Sequence, residues 1–423
     1  MCHFLYKSQL IMLLFYKLIT VIFLITLSSC NLHKELHDDI LHIKIQDAKN
    51  EIPLYASDFI SDIEYVALET QSQCLIGEYF NASISENYIL VFGSTEANCF
   101  LFSRDGKFVR KIGQRGHGPE EYESSRYQVK IDEKSGVVFL IGDPWSIYSY
   151  RITGEFIKKL DILELFKTAG IAKSSRIIHW KDDMFCAIVD LGSGVEAYRF
   201  VIFSLDGEII KLYSNYIHFE SDQRFSTTLN SDGHIFFYNE QVYFKEMLCD
   251  TIFLINDQLD LVPEIILDLP GEKIPTSMRG QPPTNPSSLF TISNIYIYEN
   301  YLFMNGNVYC LYDKNNSKLS TVKHDTSISI ERNVQSYNYN TVFKGFTNDI
   351  DGGFAFFPYY RYQMQNEKQF ANAFQSYELK QYLTDEYLSK RKIKDPEAHK
   401  RLKKLLADLN EDDNPVLMIA TVK

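Results

Sequence analysis

Ionisable and aromatic side chains are concentrated in one short segment, 113–122, which reads GQRGHGPEEY. Those able to carry charge or to exchange hydrogen bonds with a ligand are Arg115, His117, Glu120, Glu121 and Tyr122. Such a set could form the polar rim of a binding site. The segment also holds Gly116, Gly118 and Pro119, which are turn-forming residue types. The competing and favoured interpretation is therefore a structural turn, in which Glu121 caps or pairs locally.

Two other segments carry residues suited to ligand contact. Asp143-Pro144-Trp145 places one of the 2 tryptophans in a predicted loop, where its ring could stack on a sugar or a peptide. A tryptophan at the entry to a strand more often fills core space. Arg361 stands among aromatic residues in FPYYRY, 357–362, and could line the mouth of a channel. Tyrosine-rich strands are ordinary in this chain, so a purely structural role is the alternative there too.

No residue pattern predicts a catalytic or metal centre. The 10 histidines form no HExxH or HxH and no group with cysteine, and the chain contains neither a GxSxG nor a P-loop. No catalytic residue, metal or other cofactor is therefore predicted. Of the 7 cysteines, Cys99, Cys186, Cys249 and Cys310 lie in apolar, strand-like runs. That placement favours small core residues over a disulfide framework.

Composition narrows the fold and the partners. The 28 tyrosines and 30 phenylalanines outnumber the 20 glycines and 12 prolines, and aromatic residues suit the half-buried surface of a sheet. A strand-rich fold is therefore favoured. The formal net charge of −12 repels a phosphate backbone, and no basic stripe offsets it. Nucleic acid is consequently not predicted as a partner.

The elements that would position the loop at 113–122 are the strands of a repeat. Phe100–Ile112 predicts a hairpin with its turn at Asp105-Gly106. Similar units surround turns at 151–154, 204–207, 256–258 and 313–316, and a sixth unit begins at 353. The turn glycines Gly106, Gly154 and Gly207 are 48 and 53 residues apart. A period near fifty with short strands is typical of a β-propeller, so we predict an all-β, six-bladed β-propeller with four-stranded antiparallel blades.

The two ends of the predicted domain hold the strands that would close the ring. One is 62–70 and the other is 414–422, and their pairing in one sheet would leave no open edge. A helical insertion is predicted at about 378–412. Leu402, Leu405, Leu406 and Leu409 form an apolar stripe at helical spacing, which most often packs against the domain. A partner-binding helix is the alternative.

The N-terminal segment has the features of an export signal. An apolar run at 18–27 is short for a membrane span and ends at Leu27-Ser28-Ser29-Cys30. Small residues before a cysteine resemble the lipobox of bacterial lipoproteins, which implies lipidation of Cys30. The domains predicted are a signal peptide at 1–29, a lipidated cysteine and tether at 30–50, and the propeller at 51–423. The alternative is an uncleaved anchor helix, and either Met1 or Met12 would serve as the start.

The run SRDGKFVRKI followed by GQRGHGPEEY resembles NHL-type repeats, and more closely the six-bladed β-propeller lipoproteins of Bacteroidota. SDFISDIEYVALET, 57–70, is similar to the N-terminal part of that family, and NEDDNPVL, 410–417, to its C-terminal part. The family usually has Gly-Pro-Gly-Glu-Tyr in the loop, where this chain has Glu120 in place of the second glycine. The resemblance implies a six-bladed ring on a lipid anchor and implies no known reaction.

These features predict a lipid-anchored propeller of the cell envelope, at the outer membrane. It would bind an unidentified protein, glycan or peptide at one face, as an accessory to nutrient capture. The candidate contacts are Arg115, His117, Glu121, Tyr122, Asp143, Trp145 and Arg361. The alternative is a hydrolase or lyase with its active site at the mouth of the propeller channel.

Overall fold

The computed structural model shows a β-propeller of six antiparallel blades, which confirms the predicted fold class. The residues described are 40–45, 51–93, 96–123, 127–142, 146–172, 174–192, 194–219, 233–246, 249–269, 292–306, 308–325, 329–334, 337–342, 345–358 and 362–423. No helix among them is both long and apolar enough to span a bilayer.

Three strands and a one-turn helix precede the first blade: β1 (Leu41–Lys44), β2 (Glu51–Pro53), α1 (Ala56–Phe59) and β3 (Ile60–Ala67). The first blade is formed by β4 (Phe80–Ile84), β5 (Tyr88–Gly93), β6 (Asn98–Ser103) and β7 (Phe108–Lys111). The second is formed by β8 (Gln128–Asp132), β9 (Val137–Gly142), β10 (Ser146–Arg151) and β11 (Phe156–Asp161).

Helix α2 (Ile162–Thr168) leads into the third blade, β12 (Ser174–His179), β13 (Met184–Val189), β14 (Tyr198–Ser204) and β15 (Ile209–Ser214). The fourth blade is β16 (Gly233–Tyr238), β17 (Gln241–Glu246), β18 (Thr251–Ile255) and β19 (Leu261–Asp268). The fifth is β20 (Ile292–Tyr298), β21 (Tyr301–Gly306), β22 (Tyr309–Asp313) and β23 (Lys318–Lys323). A hairpin, β24 (Ser329–Val334) and β25 (Tyr337–Val342), follows it.

The sixth blade is assembled from both ends of the chain. Its hydrogen-bonded sheet consists of β27 (Gln369–Phe374), β28 (Val416–Val422) and the early strand β3, and β26 (Tyr362–Met364) packs beside β27 as its inner strand. β28 lies between β27 and β3 and pairs antiparallel with both, which confirms the predicted closure. The inner strand β26 pairs in parallel with β4 of the first blade, placing Tyr362 beside Ala82. The seam between the last and first blades is therefore joined by backbone hydrogen bonds.

The N-terminal strands also cover the outer edges of two further blades. β1 pairs in parallel with β19 of the fourth blade, and β2 pairs in parallel with β23 of the fifth. Leu41–Lys44 lies within the segment predicted as a tether. An uncovered outer strand presents unpaired backbone groups, so these two strands give the fourth and fifth blades a fifth, protective strand.

The strand sequences explain their packing. In β8 the apolar Val129 and Ile131 are buried. The polar residues that alternate with them, Gln128, Lys130 and Asp132, are half-buried on the opposite face. The predicted turn at Asp105-Gly106 is present, and Gly106 has φ of +86°. A Cβ atom there would lie 2.2 Å from the Ala67 carbonyl oxygen, so only glycine fits where the first blade meets the sixth. Cys99, Cys186 and Cys310 are buried free thiols, and Cys249 is a half-buried one.

Ion pairs repeat around the outer rim of the ring. In each pair, a side chain in the outer strand of one blade contacts the third-to-fourth turn of the next blade. The pairs are Lys158 with Asp206, Lys211 with Asp260 at 3.1 Å, and Glu64 with Arg104 at 2.7 Å. Exposed pairs of this kind contribute at most about 1 kcal/mol each, so they act chiefly on how neighbouring blades are aligned.

The helical insertion consists of α3 (Ser376–Tyr382), α4 (Asp385–Ser389) and α5 (Pro396–Asp408). Leu402 and Leu409 are buried, and Leu405 and Leu406 pack against the same apolar cluster. The prediction that this leucine stripe packs on the domain is therefore confirmed. Asp395 caps α5 by accepting hydrogen bonds from the backbone N–H groups of Glu397 and Ala398.

Two buried aspartates hold the turn on which the insertion rests. Asp349 accepts hydrogen bonds from the backbone N–H and hydroxyl of Ser57, at 2.9 and 2.7 Å, and lies 3.2 Å from Lys394 Nζ. Burial opposes its ionisation, but these partners outweigh burial and lower its pKa. Asp351 accepts from the Gly353 N–H and from Asn348 through one oxygen, and its other oxygen has no partner among the described residues.

The environments of these aspartates predict opposite effects of pH. Burial raises the pKa of Asp351 from an ordinary 3.8 to about 6. A raised native pKa means that this residue stabilises the fold below pH 4 and that the benefit is lost as pH rises through 6. As the pH rises from 4 to 7, we expect the free energy of unfolding of Asp351→Asn to increase relative to that of the wild type, by up to about 3 kcal/mol. Urea unfolding at several pH values measures this.

Asp349→Asn is the matched control, because Asp349 and Asp351 are both fully buried and belong to the same turn, with one residue between them. The lowered pKa of Asp349 means that its stabilisation is present above pH 4 and is lost on acidification. Asp349→Asn should therefore be destabilised by a nearly constant amount between pH 4 and pH 7. Equal pH slopes for the two variants would contradict this account.

Candidate functional site

The ring has two chemically different ends. Because neighbouring strands are antiparallel, the connections that follow the second and fourth strands of each blade lie at one end, here called the loop end. The other end, here called the turn end, carries the turns that join first to second and third to fourth strands. The described parts of the loop end are 68–79, 96–97, 112–123, 127, 162–172, 190–192, 194–197, 215–219, 249–250, 269, 308, 324–325, 329–334, 337–342, 345–358 and 375–415.

Buried charged residues meet at the loop end of the third and fourth blades. Arg199 at the start of β14 is 1% exposed and Glu246 at the end of β17 is 0% exposed. Arg199 Nε donates to Glu246 Oε1 over 2.6 Å, and its Nη1 donates to the Val189 carbonyl over 2.5 Å. Tyr216 Oη donates to the same Glu246 oxygen over 2.9 Å. We call Arg199, Tyr216, Lys245 and Glu246 the Arg199 cluster.

Burial sets the protonation of this cluster. It raises the pKa of Tyr216, and the Glu246 carboxylate adds to the effect, so the tyrosine remains a neutral donor. Burial also lowers the pKa of Lys245 to about 8, although nearby acidic groups oppose the shift. Lys245 Nζ donates to the Glu246 carbonyl over 2.7 Å. The Tyr216 side chain is anchored inward by its hydroxyl, while the residue as a whole is 51% exposed.

A second polar pair extends the Arg199 cluster into the inner strands. Arg176 Nη1 on β12 lies 3.1 Å from His234 Nδ1 on β16, and His234 Nε2 lies 3.2 Å from the Ile295 carbonyl on β20. Burial lowers the pKa of His234 well below its usual value, and Arg176 adds to the effect. The neutral imidazole therefore donates from Nε2 to Ile295 and accepts at Nδ1 from Arg176. This pair connects the inner strands of three blades.

The turn end is bridged by one carboxylate. Glu367, between β26 and β27, accepts from the backbone N–H groups of Asn239 and Glu240 at 2.8 and 3.0 Å, which joins the sixth blade to the fourth. Lys368 pairs with Glu299 of the fifth blade at 2.9 Å. A cavity of about 190 Å³ lies among Tyr238, Asn239, Tyr298, Glu299, Glu367, Lys368, Val422 and Lys423. Turns from three blades are thus linked directly across this end.

The predicted loop at 113–122 lies at the loop end, between the first and second blades. Arg115 and His117 are exposed there. Glu121 accepts from the Gly118 N–H over 2.8 Å and from Gln114 Nε2, and the Gly118 N–H is the main cause of its lowered pKa. Tyr122 is fully buried, with its ring 5.8 Å from that of Phe92. The inward-facing side chains shape the loop, and Arg115, His117 and Glu120 are exposed to solvent.

Other predicted site residues lie outside the described residues. These are Asp143, Trp145 and Arg361, together with the predicted lipid attachment residue Cys30. In the part of the chain that the structure describes, no group of three or more His, Cys, Asp or Glu side chains is placed to hold a metal ion.

The Arg199 cluster was missed by sequence reasoning, although a signal for it exists. Arg199 interrupts the apolar run of β14, YRFVIFS, and Glu246 ends the largely apolar β17, QVYFKE. Charged residues at positions where the strand pattern demands burial indicate a paired internal site. Which residue pairs with which depends on contacts between blades, and that information is not local in sequence.

The fold and the polar loop end define a six-bladed propeller with a distinct charged site. A family model described as "Domain of unknown function (DUF4934)" matches residues 40–421, and the chain belongs to this family. A search among curated proteins found no match.

Three solved structures are similar to this chain, and the first of them supports the fold. A protein of Bacteroides fragilis NCTC 9343 that is described as exported is 18% identical, with a TM-score of 0.59, covering 91% of this chain and 100% of its own. A DUF4221 member from Bacteroides vulgatus ATCC 8482 is 11% identical, with a TM-score of 0.45, covering 86% and 97%. Virginiamycin B lyase from Staphylococcus aureus is 13% identical, with a TM-score of 0.36, covering 62% and 74%. The first similarity confirms the propeller fold predicted from the sequence.

The pairing of Glu246 with Arg199 predicts a large cost for its removal. Glu246→Gln keeps the side-chain shape but leaves the buried guanidinium without its carboxylate, which should lower the free energy of unfolding by about 3–5 kcal/mol. Asp206→Asn is the control, because the Asp206–Lys158 pair is exposed and should change stability by less than about 1 kcal/mol. Urea unfolding of both variants measures the difference. Equal effects would show that the Arg199–Glu246 pair is not a fully desolvated one.

Proposed function

We propose that the protein is a lipid-anchored, extracytoplasmic binding module that holds a protein, glycan or peptide at the loop end of its ring. Its role would be accessory to nutrient capture at the cell envelope. The exposed Arg115 and His117 are proposed rim contacts, together with Asp143, Trp145 and Arg361 from the sequence.

The loop end is proposed as the binding face because it exposes more large apolar side chains than the turn end does. Of the 11 exposed large apolar residues in the described chain, six lie on loop-end connections: Leu75, Tyr79, Leu163, Val195, Tyr216 and Tyr377. Exposed apolar side chains beside fixed polar groups are typical of binding surfaces. The turn end is instead bridged by Glu367.

The proposed location rests on the N-terminal segment. An apolar run of signal-peptide length ends directly at Ser28-Ser29-Cys30, and a polar stretch follows it. The exported Bacteroides fragilis protein shares the fold over its full length, which supports an extracytoplasmic address for this chain. Lipid attachment at Cys30 would hold the ring at the outer membrane, where a capture module meets its ligand.

Lipid anchoring predicts a specific dependence on Cys30. In cells that express the full chain, the wild type should take up radiolabelled palmitate and enter the detergent phase on Triton X-114 partition. Cys30→Ser should not take up palmitate, since its hydroxyl is not a substrate for thioether formation. Cys249→Ser, at a half-buried thiol within the ring, is the control and should behave as the wild type. A wild-type protein that enters the detergent phase without taking up palmitate would favour the uncleaved anchor helix.

Ligand binding predicts a difference between two exposed aromatic residues. Tyr216 at the loop end is 51% exposed, and Phe237 beside the turn end is 37% exposed. Purified protein would be applied to glycan and peptide arrays, and hits would be titrated by calorimetry. Tyr216→Ala should weaken binding at least about tenfold, equivalent to roughly 1.4 kcal/mol, while Phe237→Ala should leave it unchanged.

The reverse pattern of losses would place the ligand at the turn end and contradict the proposal. Turnover of a small substrate without a retained ligand would favour the hydrolase or lyase alternative. Circular dichroism of both variants separates a lost contact from a lost fold.

A further inference from the structure

A second surface at the loop end lies at the junction of the sixth and first blades, away from the Arg199 cluster. Leu75 is 52% exposed, and Tyr79 and Tyr377 are each 38% exposed. Leu75 and Tyr79 belong to the connection between these blades, and Tyr377 belongs to α3 of the helical insertion. We call these three residues, with the exposed acidic residues Glu78, Glu411 and Asp412, the Leu75 surface.

The connection that presents Leu75 is fixed by one buried side chain. Asn414 is 3% exposed. Its Nδ2 donates to the carbonyls of Glu69 and Cys74 at 2.7 and 2.9 Å, and its Oδ1 accepts from the Ile76 N–H at 2.8 Å. Both residues flanking Leu75 are therefore held by the same amide. The exposure of Leu75 is a property of an ordered segment.

The helix is tied to the same point. Ser376 Oγ donates to the Asn414 carbonyl over 2.6 Å, and Gln375 Nε2 donates to the Glu78 carbonyl over 3.2 Å. Tyr79 and Tyr377 each directly follow one of these bonded residues. The three apolar side chains thus stand on one preorganised frame, and a partner would not have to order it on binding.

The charged residues of the two segments that Asn414 joins, 68–79 and 410–415, are all acidic, and the one exposed cation beside them in the described first blade, Lys107, interacts with Glu69. Glu78, Glu411 and Asp412 are exposed, and the last two directly precede the segment that contains Asn414. The nearby Lys380 directs its Nζ to the Leu406 carbonyl over 3.1 Å, which draws its charge toward the end of α5. A partner that covers the apolar centre would therefore meet a negative rim, and cationic side chains are the complement of such a rim.

We infer that the Leu75 surface docks a protein segment in which apolar residues are flanked by lysine or arginine. The apolar part would cover Leu75, Tyr79 and Tyr377, and the cationic flanks would face the acidic rim. This inference goes beyond the proposed function, because it assigns a second surface, at the junction of the sixth and first blades, and states the chemistry of the partner that this surface would bind.

Two synthetic peptides test the charge preference. Both carry a Leu-Phe-Trp centre, one between Lys/Arg triplets and the other between Glu/Asp triplets, and fluorescence anisotropy measures their binding to the full-length ring. The basic peptide should bind at least about tenfold more tightly. Replacement of both Glu411 and Asp412 by lysine should remove or reverse the preference. Equal binding of the two peptides to the wild type would overturn the inference.

Matched leucine variants distinguish peptide binding at the Leu75 surface from general electrostatic attraction of a basic peptide to an acidic protein. Leu75→Ser and Leu163→Ser leave the charge unchanged and remove leucines of 52% and 50% exposure, both at the loop end. Only Leu75→Ser should weaken binding of the basic peptide, by at least about tenfold. Equal losses in both variants, or no loss in Leu75→Ser, would overturn the inference. Tyr216→Ala should leave peptide binding unchanged, so failure here is distinguishable from failure of the proposed ligand site.

Discussion

Apolar blade faces can be buried only against neighbouring blades, and this requirement makes the pairing of β28 with β3 the contact on which the ring depends. Ile419 lies opposite Glu64 and Ala420 opposite Ile63 in that pairing, so residues from the two ends of the domain share one sheet. Without it, the sixth blade would lose its outer strand, and the faces of the first and fifth blades would lose the part of their cover that β3 provides. The parallel pairing of β26 with β4 reinforces the same seam from inside.

The ion pairs of the ring are of two kinds, exposed pairs that recur between blades and one buried pair. Exposed pairs such as Lys158 with Asp206 recur between the outer strand of one blade and the turn of the next, and each contributes little energy. The Arg199–Glu246 pair is fully buried and occurs at one place only among the described blades. Burying two ions is costly unless their geometry is good, so a single buried pair at one end distinguishes that end from the rest of a nearly repetitive ring.

The sequence predicts most of the architecture because its signals are local and repeated. The turn at Asp105-Gly106, the strand pattern that follows it, and the leucine stripe around Leu402 each appear in the structure as predicted. β1 and β2 were not predicted, since strands of four and three residues carry too little pattern to be recognised. The direction of a side chain in a loop is also not local information. Tyr122 faces the core because Phe92 and Tyr127 supply a pocket for its ring.

The positions of β1, β2 and β3 have a consequence for the order in which the molecule can assemble. These strands leave the ribosome first, but their partners are made late: His42 pairs with Ile266, Ile52 with Val322, and Ile63 with Ala420. Closing such long loops is entropically costly and makes folding slow. The nascent chain therefore carries β3 without its partner strand until β28 (Val416–Val422) has been synthesised, and the ring can close only after that point.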